Sequence, residues 1–216
     1  MTIRLPRRFG VAEKLGSILF LVSLFAVGCF SVQSKNDLVD LQKIIPGIAL
    51  DIRYATTNNF TGQKLYPMAR CCLRREAAES LKQVQGDLRS MGLALKIFDG
   101  YRPLSVQKKM WALVPNEDYV ANPAKGSRHN RGAAVDVTLI RLDGEELSMP
   151  TPFDDFTARA HRDYTNLPAE VLQNRALLQR VMEAHDFHGL RTEWWHFDFK
   201  NWQDYPIMDV DYSQIK

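Results

Sequence analysis

Two short segments of the sequence carry residues that together could hold a metal ion. The segment Ser127 to Asp136 places His129 and Asp136 on either side of a turn rich in small residues. A second segment places Glu193 three residues before His196. Imidazole and carboxylate groups are common zinc ligands, and three protein ligands leave one tetrahedral position open for water. We therefore predict a catalytic zinc site, with one Zn²⁺ per chain, at His129, Asp136 and His196.

Glu193 is predicted to be the general base of this site and not a ligand. Side chains alternate along a strand, so Glu193 and His196 would point to opposite faces if one regular strand held both. Both can reach one site only if Glu193 lies in the turn before the strand. A carboxylate there can accept the proton of a zinc-activated water and pass it to the leaving amine.

Arg102 is the candidate for stabilising the negative charge of a tetrahedral intermediate. It follows the turn pair Asp99-Gly100, just past a predicted strand end, where a long cation can reach over a cleft. Losing one such preorganised donor typically costs on the order of 100-fold or more in rate. A surface salt bridge is the alternative interpretation of this arginine.

Three helices and three strands are predicted to position these residues. The spacing of apolar residues indicates helices over 73–91, 103–113 and 168–184, strands over 93–98, 135–140 and 195–199, and an extended segment over 50–54. Their order has no regular βαβ rhythm and no internal repeat. The predicted class is therefore α+β, with a small antiparallel sheet flanked by helices.

Residues 1–29 have the layout of a signal peptide. Basic residues precede an apolar run that ends near residue 30 and is shorter than the roughly 20 residues of a transmembrane span. The run closes with small residues before Cys29, which resembles a bacterial lipoprotein cleavage box. Cys29 would then be lipidated; in plain secretion it would be incidental. We expect an exported protein, periplasmic or held at the outer envelope by its lipid and otherwise secreted.

The remaining chain is predicted to be a tether over 30–45 and one catalytic domain over 46–216. Four basic residues and one acidic residue in the leader account for the formal net charge of +3, so the domain is close to neutral and gives no reason to expect nucleic acid as a partner. Cys71 and Cys72 are adjacent, and neighbouring cysteines rarely pair. We interpret them as partly buried small hydrophobes at a helix start.

The motifs resemble those of the D-alanyl-D-alanine dipeptidases, zinc DD-peptidases related to the vancomycin-resistance dipeptidase and sharing a fold with the hedgehog signalling domain. The likeness extends from about Asp51 to about Tyr205, with the motifs in family order. It implies that the family's zinc ligands are His129, Asp136 and His196. It also implies that Glu193 is the family's general base and Arg102 its transition-state arginine. It also implies a hedgehog/DD-peptidase-like fold.

The same resemblance implies three substrate contacts, namely Tyr54, Ser127 and an aspartate that follows a Phe-Asp pair. Asp154 is the best candidate for that aspartate, and the adjacent Asp155 is the alternative. A carboxylate that binds a free ammonium group would favour dipeptides over longer chains, in which the corresponding nitrogen is an amide.

The implied activity is hydrolysis of D-alanyl-D-alanine or of a small peptide derived from peptidoglycan. One alternative is a zinc DD- or LD-carboxypeptidase or endopeptidase, which would share the metal site but need an open groove for peptidoglycan stem peptides. Another is a non-catalytic zinc-binding envelope lipoprotein. Glu193 argues against the latter, because metal binding alone does not require a non-ligating carboxylate.

Overall fold

The structure, a computed structural model, describes Met1 and residues 37–215. The predicted signal peptide beyond Met1, including Cys29 and its lipidation, lies outside the described residues. Residues 37–215 belong to one unit by their internal contacts. Among them, no helix combines the length and the apolar character that crossing a membrane requires.

Seven strands and four α-helices form from the described residues. The strands are β1 (Leu38–Asp40), β2 (Ala49–Leu50), β3 (Cys72–Arg74), β4 (Leu93–Asp99), β5 (Ala134–Arg141), β6 (Phe187–Gly189) and β7 (His196–Phe199), and the helices are α1 (Leu41–Ile44), α2 (Arg75–Ser90), α3 (Leu104–Leu113) and α4 (Ala169–Glu183).

The central sheet contains five strands in the order β2, β4, β5, β7 and β6, and β1 pairs with β3 in a separate two-stranded sheet. The pairs β4–β5, β5–β7 and β6–β7 are antiparallel. The short strand β2 runs parallel to β4. The predicted α+β class is confirmed, and β2 is the one departure from an antiparallel central sheet.

The alternation of side chains in β5 separates the hydrophobic core from the face that carries polar residues. Val135, Val137 and Leu139 belong to the core, whereas Asp136 points to the other face. Helices α2 and α4 cover the core, since their buried residues recur at helical spacing, as Leu81, Val84 and Leu88 do in α2. Full burial of one such leucine stabilises the fold by about 1.5–3 kcal/mol.

The predicted helices and longer strands are confirmed with ends that differ by about two residues. The extended segment predicted over 50–54 is wrong from Arg53 onward, whereas Ile52 is still extended. Residues Arg53–Ala55 form a 3-10 helix. The cause is local hydrogen bonding: the N–H groups of Ala55 and Thr56 donate to the carbonyls of Ile52 and Arg53 at 3.0 Å each.

The folded domain also begins before residue 46, the boundary predicted from the sequence. Residues 38–44, assigned to the tether, form β1 and α1, and Leu41 is fully buried. The antiparallel pairing of β1 with β3 holds this segment on the domain. Both cysteines of the pair are completely buried free thiols, and Cys72 begins β3 where a helix start was expected.

Candidate active site

A cavity of about 440 Å³ opens on the polar face of the central sheet. All eight residues that the sequence predicted for the domain's site line this cavity: Tyr54, Arg102, Ser127, His129, Asp136, Asp154, Glu193 and His196. Residues from five separate parts of the chain therefore meet in one space.

The three predicted metal ligands converge inside the cavity. His196 Nδ1 lies 2.9 Å from Asp136 Oδ1 and 3.1 Å from His129 Nε2. The distance from His129 Nε2 to Asp136 Oδ2 is 3.5 Å. All three residues are buried. Two imidazole nitrogens that face each other at this distance must share a proton or a cation, and with the carboxylate they make a donor set that suits Zn²⁺.

The sheet sets the spacing of two of these ligands. Asp136 of β5 and His196 of β7 are direct partners in the antiparallel ladder, and Asp99 of β4 is the partner of Asp136 on its other side. Opposite residues in such a ladder have Cβ atoms about 4.5–5.5 Å apart. One row across three strands thus carries three of the site's polar side chains.

A tight turn brings the third ligand to this row. His129 lies in a 3-10 helix, His129–Arg131, that ends at Gly132 with a φ of 67°. A Cβ atom at position 132 would lie 2.6 Å from Leu38 Cδ2. Glycine is needed there on both counts, because it adopts positive φ freely and leaves room for Leu38.

Hydrogen bonds from the outer ring nitrogens orient both imidazoles. His129 Nδ1 donates to the carbonyl of Gly100 at 2.8 Å, which leaves Nε2 for a metal. His196 Nε2 donates to Asp198 Oδ1 at 2.9 Å, which leaves Nδ1. The other oxygen of Asp198 pairs with Arg128 Nε at 3.0 Å. Such outer partners fix the tautomer and orientation of metal-binding histidines.

Glu193 lies in the turn before β7, the position that the alternation argument required. Its Oε2 atom is 3.9 Å from His196 Nδ1, and its side chain is half-buried. Burial raises the pKa of Glu193 above its ordinary value, although the nearby His196 opposes this rise. The carboxylate therefore stands beside the ligand cluster and outside hydrogen-bonding distance of His196.

Arg102 is buried at the cavity wall, which excludes the surface salt bridge as its role. Its Nη2 donates to Asp99 Oδ2 at 2.7 Å and its Nη1 to Gln107 Oε1 at 2.9 Å. The carboxylate of Asp99 is fully buried and also accepts from the Tyr66 hydroxyl at 2.7 Å. Burial by itself would lower the pKa of Arg102, but Asp99 raises it, so the guanidinium stays charged.

Tyr54 and Asp154 form a pair elsewhere on the cavity wall. The Tyr54 hydroxyl lies 3.0 Å from Oδ1 and 3.2 Å from Oδ2 of Asp154. Burial raises the pKa of Asp154 well above its usual range, and Asp136 adds to the rise. Asp155 instead accepts from the N–H of Thr157 at 2.9 Å in an exposed turn. Asp154 is thus the residue of the two that lines the cavity.

The family model for Peptidase M15, D-ala-D-ala dipeptidase, matches residues 34–214. The chain belongs to this family. A D-alanyl-D-alanine dipeptidase from Escherichia coli K12 is 36% identical over 84% of this chain and 94% of that protein. Proteins with the same description from Enterococcus faecalis and Enterococcus faecium are each 33% identical, covering 76% and 80% of this chain and 91% and 95% of their own lengths.

Solved structures with some likeness to this M15 chain include a zinc complex of a mutant of the vancomycin-resistance D,D-pentapeptidase VanY, at 15% identity and a TM-score of 0.41 over 61% of this chain and 75% of that one. Another is the LD-carboxypeptidase LdcB, at 21% identity and a TM-score of 0.41 over 67% and 70%. The D,D-dipeptidase VanXYg, in complex with a D-Ala-D-Ala phosphinate analogue, has 17% identity and a TM-score of 0.39 over 75% and 66%.

As a member of the M15 family, the chain is a metallopeptidase. Its site contains residues that the sequence reasoning missed, chiefly Asp198, Asp99 and Gln107. For Asp198 a signal existed: it follows His196 by two residues, so in a strand both side chains point to the same face. Asp99 and Gln107 gave no such signal. Arg102 was predicted only from its position after a strand, and that position does not indicate which residues bind its guanidinium.

Proposed function

We propose that this chain hydrolyses D-alanyl-D-alanine, or a closely similar small D,D-dipeptide, to free amino acids. One observation carries the proposal: the half-buried carboxylate of Asp154 and the cluster of His129, Asp136 and His196 line the same cavity. A dipeptide that binds Asp154 through its ammonium group would have its single peptide bond only one residue away. The names of the related proteins, all D-alanyl-D-alanine dipeptidases, support the same substrate.

His129, Asp136 and His196 would hold one zinc ion per chain. When bound, zinc would polarise the scissile carbonyl and lower the pKa of the attacking water towards about 7. The cluster fits this role since the outer ring nitrogens of both histidines are occupied by Gly100 and Asp198 and the inner ones converge.

Glu193 moves the proton in this mechanism. Its carboxylate lies beside the cluster, accepts a proton from the attacking water and delivers it to the leaving amine. Arg102 supplies a fixed positive charge for the oxygen that becomes negative in the transition state. Because Asp99 and Gln107 already hold the guanidinium in place, little reorganisation is needed when that charge develops.

Asp154 and Tyr54 set the preference for dipeptides. A free ammonium group neutralises the half-buried Asp154 carboxylate, whereas an acylated nitrogen leaves it without a cation. Removing one partner from a fully buried charge pair costs about 3–5 kcal/mol, which corresponds to about 10²-fold to 5 × 10³-fold. Because Asp154 is half-buried, a loss near the lower end of this range is expected. A carboxypeptidase that acts on longer stem peptides would bind acylated substrates without this free-energy cost.

Turnover of free D-alanyl-D-alanine should be compared with turnover of its N-acetylated form. We expect kcat/KM for the acetylated form to be lower by at least about 100-fold. Comparable efficiency on both would refute the dipeptidase proposal and favour the carboxypeptidase or endopeptidase alternative.

Glu193→Gln tests catalysis itself. This variant should bind zinc like the parent and lose turnover, while the surface variant Glu145→Gln, at an exposed ion pair with Arg141, should match the parent in both. Undiminished turnover of Glu193→Gln would show that Glu193 is not the base.

We also propose that the chain is exported and that Cys29 carries a lipid. The support is the sequence of the leader, with its basic start, its apolar run and the small residues before Cys29. The protein would then meet peptides released from peptidoglycan, with its lipid as the sole membrane attachment. In bacteria supplied with labelled palmitate, the full chain should be labelled and Cys29→Ser should not; equal labelling of both would refute this.

A further inference from the structure

Arg162 holds together the turn that carries Glu193. Its Nε donates to the carbonyl of Leu190, and its Nη2 donates to the carbonyls of Trp194 and His196, all at 2.9 Å. Its backbone N–H also donates to the carbonyl of Arg191 at 2.8 Å. These acceptors lie on both sides of Glu193 in the sequence, so a single residue spans the turn.

The chain provides a dedicated space for this guanidinium. A Cβ atom at position 189 would lie 2.3 Å from Arg162 Cζ, so only glycine leaves room for it. The guanidinium also covers the ring of Phe197, with Cζ 4.3 Å from the ring centroid. Among the described residues no carboxylate oxygen lies within 4.0 Å of Arg162. The backbone carbonyls are therefore its main polar partners.

The carboxylate of Glu193 depends on its backbone for its position. No group of the described residues donates a hydrogen bond to it, and His196 Nδ1 lies 3.9 Å from its Oε2 atom. Two backbone hydrogen bonds close the turn itself: the Glu193 N–H donates to the Leu190 carbonyl at 3.3 Å, and the Leu190 N–H donates to the His196 carbonyl at 3.1 Å. His196, in contrast, is held by the pairing of β7 with β5 and by Asp198.

We propose that Arg162 is a positioning residue for the reaction, which fixes the turn over 190–195 and thereby the carboxylate of Glu193. The inference rests on the proposed function, because it takes Glu193 to be the base. Without Arg162 the turn loses three hydrogen bonds from a charged donor, each worth about 1.5–3 kcal/mol. A misplacement of about 1 Å at a catalytic group can cost on the order of 100-fold in rate.

Arg162→Met tests the proposal, with Arg70→Met as the matched control. Arg70 also donates to two backbone carbonyls, those of Tyr212 and Ile215, and its Nε pairs with Asp40. None of these partners lines the cavity, whereas Leu190 and His196, which accept from Arg162, do. We expect kcat of Arg162→Met to fall by about 100-fold, with KM and zinc content near those of the parent. Arg70→Met should lower the melting temperature and leave kcat within about twofold.

Gly189→Ala is a second test of the proposal, in which the charge of Arg162 is retained. The added methyl group displaces the guanidinium, so kcat should fall while zinc stays bound. A folded Arg162→Met or Gly189→Ala protein with the kcat of the parent would overturn the proposal.

A double-mutant cycle separates this proposal from the proposed function. If Arg162 acts through Glu193, adding Arg162→Met to Glu193→Gln should reduce the residual turnover no further, whereas independent effects would multiply. Multiplied losses would refute the positioning role. Full activity of Glu193→Gln alone would instead refute the assignment of the base and leave the Arg162 result to be explained by another group in the turn.

Discussion

Replacing Asp198 with alanine removes the group that orients one of the metal-binding histidines. Asp198 Oδ1 accepts the proton of His196 Nε2 at 2.9 Å, and its other oxygen pairs with Arg128. In the variant the imidazole ring can rotate, and its buried N–H loses its acceptor. The donor atom that faces His129 and Asp136 becomes less basic at the same time.

The magnitude follows from the contacts that are lost. Outer partners of this kind typically contribute 10-fold to 100-fold to metal affinity, or about 1.4–2.7 kcal/mol. A hydrogen bond to a charged group contributes about 1.5–3 kcal/mol, which is close to that value for the loss of metal affinity. We expect the loss of zinc affinity to fall in the upper half of the 10-fold to 100-fold range, because the Asp198 side chain is only 10% exposed and water replaces it poorly.

Zinc affinity should be measured on the folded variant by competition with a chromophoric chelator. Glu145→Ala is the control, because its exposed pairing with Arg141 is remote from the ligands and its zinc affinity should equal that of the parent. An Asp198→Ala protein that folds and binds zinc within about twofold of the parent would refute the reasoning.

Three further predictions concern the substrate pair, the ligand turn and the metal. Asp154→Asn should lower kcat/KM for the free dipeptide by about 100-fold and change it little for the N-acetylated form, so the ratio of the two decides the role of this carboxylate. Gly132→Ala combines a φ of 67° with a 2.6 Å approach to Leu38 and should lose at least about 1–3 kcal/mol of stability in urea unfolding; an unchanged midpoint would contradict this. Removal of zinc by a chelator should abolish turnover and lower the melting temperature, with both restored by added zinc, because the ion binds only the folded cluster; turnover that survives complete removal would contradict the role of the metal.

Much of the fold followed from the spacing of apolar residues. The helix predicted over 73–91 and the strand predicted over 93–98 were correct because each is long enough to repeat its period several times. Strand β1 was missed since three residues show no period, and its place depends on pairing with β3. The 3-10 helix at Arg53–Ala55 was missed because its hydrogen bonds are local turn bonds without an apolar signature.

The site was predictable where residue type and local geometry were sufficient. The position of Glu193 in a turn followed from strand alternation, and the structure places it there. Arg162 could not be found this way, because its acceptors lie about 30 residues further along the chain and are backbone carbonyls that any residue provides. Gln107 acts on Arg102 through a contact that only the packing of α3 creates.

The row formed by Asp99, Asp136 and His196 limits where the chain can gain or lose residues. The three side chains share a face only in the present alignment of β4, β5 and β7. Inserting or deleting one residue within 134–136 would turn Asp136 away from the metal and towards the apolar interior. Length variation should therefore be tolerated in exposed connections, such as the turn over 142–145 that follows β5, and be absent from the three strands themselves.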